Sequence, residues 1–289
     1  MRAKAQPTRA VTENGHSAGG GRRARYVAIV SDGSARWAQA RGLTIKAGHN
    51  AAADTVLARI ADAVELGIEE LTLYAFSTEN WGRPAEEVAA LLAMLAKRIA
   101  ADTPALHALG VRVRFIGRRD RAGEALASAM HASEQMTAGN AGLSVYVAFD
   151  YGGRDEIVSA AERYRGGGEE EFAKLMHCAE MHDPDLVIRT SGEKRLSNFL
   201  LWQAAYSELV FRDEPWPDFT RGALEECLAE YAARSRRFGG REAAAASRNR
   251  TPAALGPRTP RHSAPAARTQ AVQAVLPDVI ARSSQHAVE

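Results

Sequence analysis

The sequence predicts an α/β fold: a single domain around a central, largely parallel sheet of six strands flanked by helices. Two observations carry this. Short runs rich in apolar residues alternate along the chain with longer segments of helical apolar spacing. Several of the short runs are apolar on both faces, as strands covered by helices on each side must be. The strand runs are Tyr26–Val30, Leu71–Phe76, Val111–Ile116, Leu143–Phe149, Leu186–Ile188 and Leu209–Phe211.

The elements follow in order. Tyr26–Val30 opens the domain and ends in Ser-Asp-Gly. Between Ala52 and Leu66, Val56, Ile60 and Val64 form one stripe, and Gly67 follows as a helix stop. The second strand leads to Pro84, which suits a first helical turn, and Val88, Leu91, Leu92, Leu95 and Ile99 make the next stripe. In a parallel sheet of this kind ligands bind beyond the carboxyl ends of the strands, so the strand-to-helix junctions are where chemistry is expected.

The ends of the chain read differently. Residues 1–25 carry six Lys/Arg against one Glu, and residues 242–289 six Arg against three acids, both with little apolar periodicity. Such segments bury too little surface to offset their ordering entropy, and both are expected to be disordered tails around a folded domain at 26–241. A helical spacing at Val272, Val275, Leu276 and Val279 is interrupted by Pro277. The whole chain is net +2, so the domain between the tails is net −6, which disfavours a nucleic-acid partner. No run approaches the ~20 apolar residues of a membrane span, and the basic N-terminus lacks an apolar signal segment, so a cytoplasmic protein is expected. Cys178 and Cys227 stand alone, in neither disulfide nor zinc spacing.

Three junctions carry candidate chemistry. In the first, an apolar strand runs into Asp32, Gly33, Ser34, Ala35, Arg36 and Trp37. Small residues let an anion approach the backbone, Arg36 supplies a forked donor, and Asp32 beside an anion calls for a bridging Mg²⁺. The same residues also suit an ordinary helix N-cap. The second junction is Ser77-Thr78-Glu79-Asn80-Trp81-Gly82-Arg83, where polar groups for a diphosphate adjoin aromatic surface for a hydrocarbon. Turn formers with a core tryptophan would look the same. The third places Arg189, Lys194 and Arg195 among Gly and hydroxyl residues directly after an apolar strand. Glu208 begins the last strand, as a second metal ligand or as surface charge.

These strings, in this order, resemble the cis-prenyltransferase (undecaprenyl diphosphate synthase) family. The resemblance rests on DGSARW, Gly48-His49, FSTENWGRP, YGGRDE at Tyr151–Glu156, IRTSGEKRLSNFLLWQAAYSEL, WPDF at Trp216–Phe219 and RRFGG at Arg236–Gly240, and covers about residues 26–241. It implies a Mg²⁺-dependent transferase that joins isopentenyl diphosphate to an allylic diphosphate, and a homodimer with residues 208–240 near its interface. By the same resemblance Asp32 is the catalytic carboxylate and binds Mg²⁺, with Glu208 as second ligand, and Asn80 matches the proton acceptor. Gly33, Ser34, Ala35, Arg36, Trp37, His49 and Arg83 correspond to allylic-substrate contacts, Ser77, Thr78, Glu79 and Trp81 to the pocket wall, and Arg189, Arg195, Leu196 and Ser197 to the isopentenyl diphosphate site. The chain departs from the family where Ser34 and Ala35 stand for Asn and Gly, Ile45 for an Arg of the substrate site, and Asp150 for Asn. Leu73, Ala75, Val145 and Val147 are candidates for the wall of a product tunnel, and equally for plain core.

Other classes fit less well. Trans-type prenyl synthases are helical and carry DDxxD, which is missing here. A phosphohydrolase would want a second acid where Ser34 stands. A non-catalytic partner subunit of a heteromeric prenyltransferase would need neither Asp32, Asn80 nor the paired arginines.

Overall fold

The computed structural model describes residues 22–234. The interrupted helical spacing at 272–279, the RRFGG string at 236–240 and most of both tails lie outside the described residues. Six strands form one wholly parallel sheet: β1 (Tyr26–Val30), β2 (Glu70–Ser77), β3 (Arg112–Ile116), β4 (Ser144–Tyr151), β5 (Leu186–Arg189) and β6 (Glu208–Phe211). Their spatial order is β3-β4-β2-β1-β5-β6. From β1 the chain passes to β2 on one side and only later to β5 on the other. The crevice between β1 and β5 is therefore the topological switch point, where α/β sheets bind ligands.

Alternation along the strands sorts the core into two layers. Val27 and Ile29 of β1 join Leu71, Leu73, Val113, Val145 and Ile188 beneath the helices α2 (Ile45–Glu65), α3 (Ala85–Ala108), α4 (Glu124–Thr137) and α7 (Arg221–Ala233). Tyr26, Ala28 and Val30 face the other way, with Tyr146, Ala148, Val187 and Phe199. All five residues of β1 are buried, which explains why it reads as a continuous apolar run. Observed strand ends lie within two residues of the expected ones. β2 gains the polar termini Glu70 and Ser77, whose backbones pair in the ladder although their side chains carry no apolar signal, whereas the apolar Val111 and Leu143 fall just before β3 and β4.

Helix limits are set as the local chemistry dictates. Thr44 caps α2 by accepting from the Ala47 N–H, and Gly67, in the left-handed region, ends it. α3 starts directly after Pro84. Short helices α1 (Ser34–Ala40), α5 (Gly153–Arg163) and α6 (Glu169–Ala173) complete the fold, together with a 3-10 turn at Thr78–Gly82 after β2. At the N-terminal side the packed part begins before Tyr26: Ala24 is buried, and the Arg22 guanidinium donates to the Tyr231 hydroxyl at 2.7 Å. Among the described residues no helix is long and apolar enough to cross a membrane.

Candidate active site at the β1–β5 crevice

β1 and β5 deliver their ends side by side, and Thr190 ties them together. Its hydroxyl accepts from the Asp32 N–H and donates to the Asp32 carbonyl, both at 2.9 Å. Gly33 then turns at φ 99°, a conformation that disfavours side chains, and a Cβ there would lie 2.4 Å from the Ser191 Oγ. Only glycine lets the β1 loop approach the β5 loop this closely.

Around this turn the predicted residues converge. Arg189, 4% exposed, donates from Nη2 to Asp32 Oδ2 at 2.9 Å and from Nη1 to the Arg195 carbonyl (2.6 Å) and Ser197 Oγ (2.7 Å). Its Nε is buried without a hydrogen-bond partner among the described residues, an uncommon state that an anionic ligand would relieve. Arg36 reaches Asp32 Oδ1 at 3.5 Å and Glu193 Oε1 at 3.3 Å, and Glu193 in turn pairs with Arg195. Three arginines thus share two carboxylates at one crevice, an arrangement that holds cations in place for a diphosphate.

The crevice opens into a cavity of about 420 Å³. Asp32, Gly33, Ser34, Ala35, Arg36, His49, Ser77, Asn80, Arg83 and Arg189 lie at its polar mouth. Its body is hydrocarbon: Leu73 and Ala75 of β2, Val113 and Phe115 of β3, Val145 and Val147 of β4, faced by Val56 and Ile60 of α2 and Leu91, Leu95 and Ile99 of α3. All four tunnel candidates are therefore wall residues. Ala75, in mid-strand, is exposed because its face of the sheet looks onto open space. On the α3 side the buried hydroxyls of Thr103 and Ser133 pair at 2.8 Å, and the partly exposed Arg98 joins Asp102 of the lining (3.2 Å) to Asp54 outside it (2.8 Å). Burial pushes the Asp102 carboxyl above its ordinary value, against the opposing pull of Arg98.

Near the mouth, burial first and then the Arg83 guanidinium hold the His49 imidazole below its ordinary value. Asn80 accepts the Ser77 N–H at 3.0 Å, and its own N–H is accepted by the Ser77 hydroxyl, a reciprocal cap that fixes the 3-10 turn.

Several expected contacts are not at this cavity. Trp37 turns outward, donating its indole N–H to Asp218 at 2.7 Å beneath the stacked Arg41. Ile45 sits in the first turn of α2, 42% exposed. Thr78 and Glu79 are rotated off the cavity by the 3-10 turn and face Asn198. Trp81 packs edge-on against Phe76, and Leu196 joins the opposite core layer. Glu208, expected as a second metal ligand, also lies away from this cavity. Pairing places it level with Leu186 and so with Val27, five residues before Asp32 and roughly 15 Å away along the strands. There it binds Arg234 at 2.9 Å and lies 3.7 Å from Arg22, so within one chain Glu208 and Asp32 cannot share an ion.

The Asp150 departure has a physical partner. Its buried carboxylate takes both nitrogens of Arg121, at 2.9 and 2.6 Å, and the Trp81 indole N–H at 2.7 Å. Sequence reading left Thr190, Glu193 and Asn198 without roles. Glu193 had a signal, as the lone acid among three cations.

Among the described residues no three His, Cys, Asp or Glu side chains cluster as a metal site. A cation at Asp32 would have one protein carboxylate beside an anion-binding crevice, which fits Mg²⁺, an ion that keeps waters and takes substrate phosphate oxygens.

Asp32 with Arg36, Arg83 and Arg189 at the mouth of a hydrocarbon cavity defines a site for diphosphate esters of apolar chains. The comparisons agree. The Prenyltransf family model, described as "Putative undecaprenyl diphosphate synthase", matches residues 30–239. An isoprenyl transferase of Aquifex aeolicus is 47% identical over 219 residues, covering 74% of this chain and 95% of that protein. The ditrans,polycis-undecaprenyl-diphosphate synthase ((2E,6E)-farnesyl-diphosphate specific) of Escherichia coli is 45% identical over 229 residues, covering 75% and 90%. The crystal structure of lavandulyl diphosphate synthase from Lavandula x intermedia, in complex with dimethylallyl diphosphate, superposes with a TM-score of 0.73 at 33% identity, over 75% of this chain and 98% of that one. The chain belongs to the undecaprenyl diphosphate synthase family of cis-prenyltransferases, enzymes that transfer prenyl groups.

Proposed function

We propose that the chain condenses isopentenyl diphosphate with an allylic diphosphate, farnesyl or geranyl, to give a cis-polyprenyl diphosphate, a lipid-carrier precursor for cell-wall polymers. The observation that carries this reading is the joint opening of Asp32, Arg36 and Arg189 onto the hydrocarbon cavity. The allylic chain lies in the cavity with its diphosphate at Arg36, His49 and Arg83. Isopentenyl diphosphate is held at Arg189, Arg195 and Ser197. The allylic C–O bond breaks and diphosphate leaves. The π electrons of isopentenyl diphosphate form the new C–C bond, and a proton passes from its C2 to the departing diphosphate, leaving the new double bond.

Bound by Asp32 and diphosphate oxygens, Mg²⁺ would neutralise charge on the leaving group. Arg36 stabilises that charge from within a prepositioned site. Asn80 is too weak a base to hold the proton. Its side chain, already accepting the Ser77 N–H, orients the turn beside the reacting carbon. The apolar walls exclude water, which would otherwise capture the developing cation.

The homologous partner-subunit reading has no observation in its favour here. A homodimer with peripheral membrane contact through its product belongs to the same proposal. Purified protein incubated with Mg²⁺, labelled isopentenyl diphosphate and either primer is expected to yield extended products. No Mg²⁺-dependent elongation with either primer would overturn the reading.

A further inference from the structure

Tyr151–Glu156 (YGGRDE) has no group at the cavity mouth, yet it lies behind both substrate loops. Tyr151 and Glu156 are held by Tyr74, His177 and Gln203, whereas Gly153 and Arg154, at the start of α5, both bond to one residue, Asn198. The Asn198 carbonyl accepts the Gly153 N–H at 2.7 Å, its Oδ1 accepts the Arg154 N–H at 2.8 Å, and its Nδ2 donates to Glu79 Oε1 at 2.9 Å. The amide fits in one orientation alone, because one partner is a donor and the other an acceptor.

Backbone shape shows how much depends on these bonds. Ser197, Asn198 and Leu200 stand at φ 48°, 63° and 45°, three non-glycine residues in the left-handed region within four positions. Such a loop persists only where its surroundings over-determine it. Gly152 makes the convergence possible: a Cβ there would lie 2.6 Å from Thr78 Oγ1 and 2.7 Å from Asn198 Nδ2. Immediately before Asn198, the Arg195 carbonyl and Ser197 Oγ receive the Arg189 guanidinium. On the far side, Glu79 belongs to the 3-10 turn that carries Asn80. Hydrogen bonds from Asn198, the backbone and neighbouring hydroxyls outweigh the effect of burial and hold the Glu79 carboxyl below its ordinary range, so it is an ionised acceptor.

We infer that Asn198 is a positioning residue: through the hydrogen bond its side-chain amide donates to Glu79 and the two it accepts from the start of α5, it holds the Arg195–Ser197 loop in register with the Asn80 turn. This rests on the proposed function, since it assigns the Arg195–Ser197 loop to the homoallylic diphosphate. Asn198 touches no substrate. It fixes the distance between two loops that do.

The test is a donor–acceptor exchange in the full chain. Asn198→Asp keeps the acceptor for Arg154 but sets a carboxylate against Glu79. Its KM for isopentenyl diphosphate is expected to rise and kcat/KM to fall about tenfold to a hundredfold, with the KM for the allylic diphosphate changing less than about twofold. Adding Glu79→Gln restores a donor facing an acceptor, and the double variant is expected within about threefold of wild type. Recovery shows that the two residues act as a pair, and a merely structural role would not move the KM of one substrate alone. Unchanged kcat/KM in Asn198→Asp, or a double variant no better than the single one, overturns the inference. Should Asn198→Asp fail to fold, Asn198→Ala is expected to show the same one-sided rise in KM, and equal effects on both substrates would count against it. If wild type elongates nothing, the proposed function fails first. Calorimetric titration of isopentenyl diphosphate into the same variants then decides the inference: weakened binding recovered by Glu79→Gln upholds it, and equal affinities sink it.

Discussion

Two carboxylates in this molecule have almost the same company. Asp32 lies 2.9 Å from one arginine and 3.5 Å from another; Glu208 lies 2.9 Å from one and 3.7 Å from another. Their side chains are similarly exposed, 32% and 27%. Yet Asp32 stands at the carboxyl ends of the strands, over a cavity, and Glu208 at their amino ends, where it ties β6 to α7 and to the segment before β1. The ion cluster is the same; what differs is whether one side of it faces open, apolar-walled space. Charge composition therefore does not mark a site until the fold gives it somewhere to put a substrate.

The sharpest way to break this comparison is to neutralise each acid in turn. Asp32→Asn is expected to lower turnover by about a thousandfold or more, as loss of electrostatic stabilisation at a reacting centre does. Glu208→Gln should leave turnover within about threefold and cost about 0.5–1 kcal/mol of stability, as expected for a half-exposed pair. Radiolabel incorporation and urea titration measure both. Equal loss of turnover in the two variants would show that Glu208 reaches the site.

A smaller effect should follow from filling the space that distinguishes the two ends. Ala75→Phe projects a ring into the cavity, and chromatographic sizing should show products shortened by at least one isoprene unit, with kcat for the first condensation changed by less than about tenfold. An unaltered product distribution would mean that the growing chain runs elsewhere.

The smallest effect concerns pH. His49, at the cavity mouth, is held below its ordinary value by burial and Arg83, so the unfolded chain takes up its proton first on acidification. The native state then binds fewer protons than the unfolded state. Stability is lost as pH falls from about 6.5 towards the folded-state value. Denaturant titrations of wild type and His49→Gln at pH 7 and 5.5 should show a shallower loss in the variant. Parallel losses would place the acid sensitivity elsewhere, for instance at the arginine–carboxylate pairs of the opposite end.

Much of the architecture was legible because a buried parallel strand leaves a plain signal. Val27–Val30 and Leu186–Ile188 are apolar at every position, and the residues that follow such runs must lie at the sheet's carboxyl edge. That logic marked Asp32 and Arg189. It could not orient Trp37, Thr78 or Glu79, since rotation within a short helix or 3-10 turn moves a side chain from cavity to surface without altering its neighbours in sequence.

From its sequence alone the protein has its strands, its helix stripes and the polar junctions that end them, because those depend on residues only a few positions apart. Tertiary structure decided the rest. The β5–β6 register put Glu208 some 15 Å from Asp32 along the strands, and α2 and α3 stand off the sheet so that Ala75 and Val147, beyond the core residues Leu73 and Val145, open onto a void. Register and standoff arise from pairings such as Leu186 with Glu208, 22 residues apart (208 − 186), and Val27 with Leu186, 159 apart (186 − 27), and no local pattern encodes them.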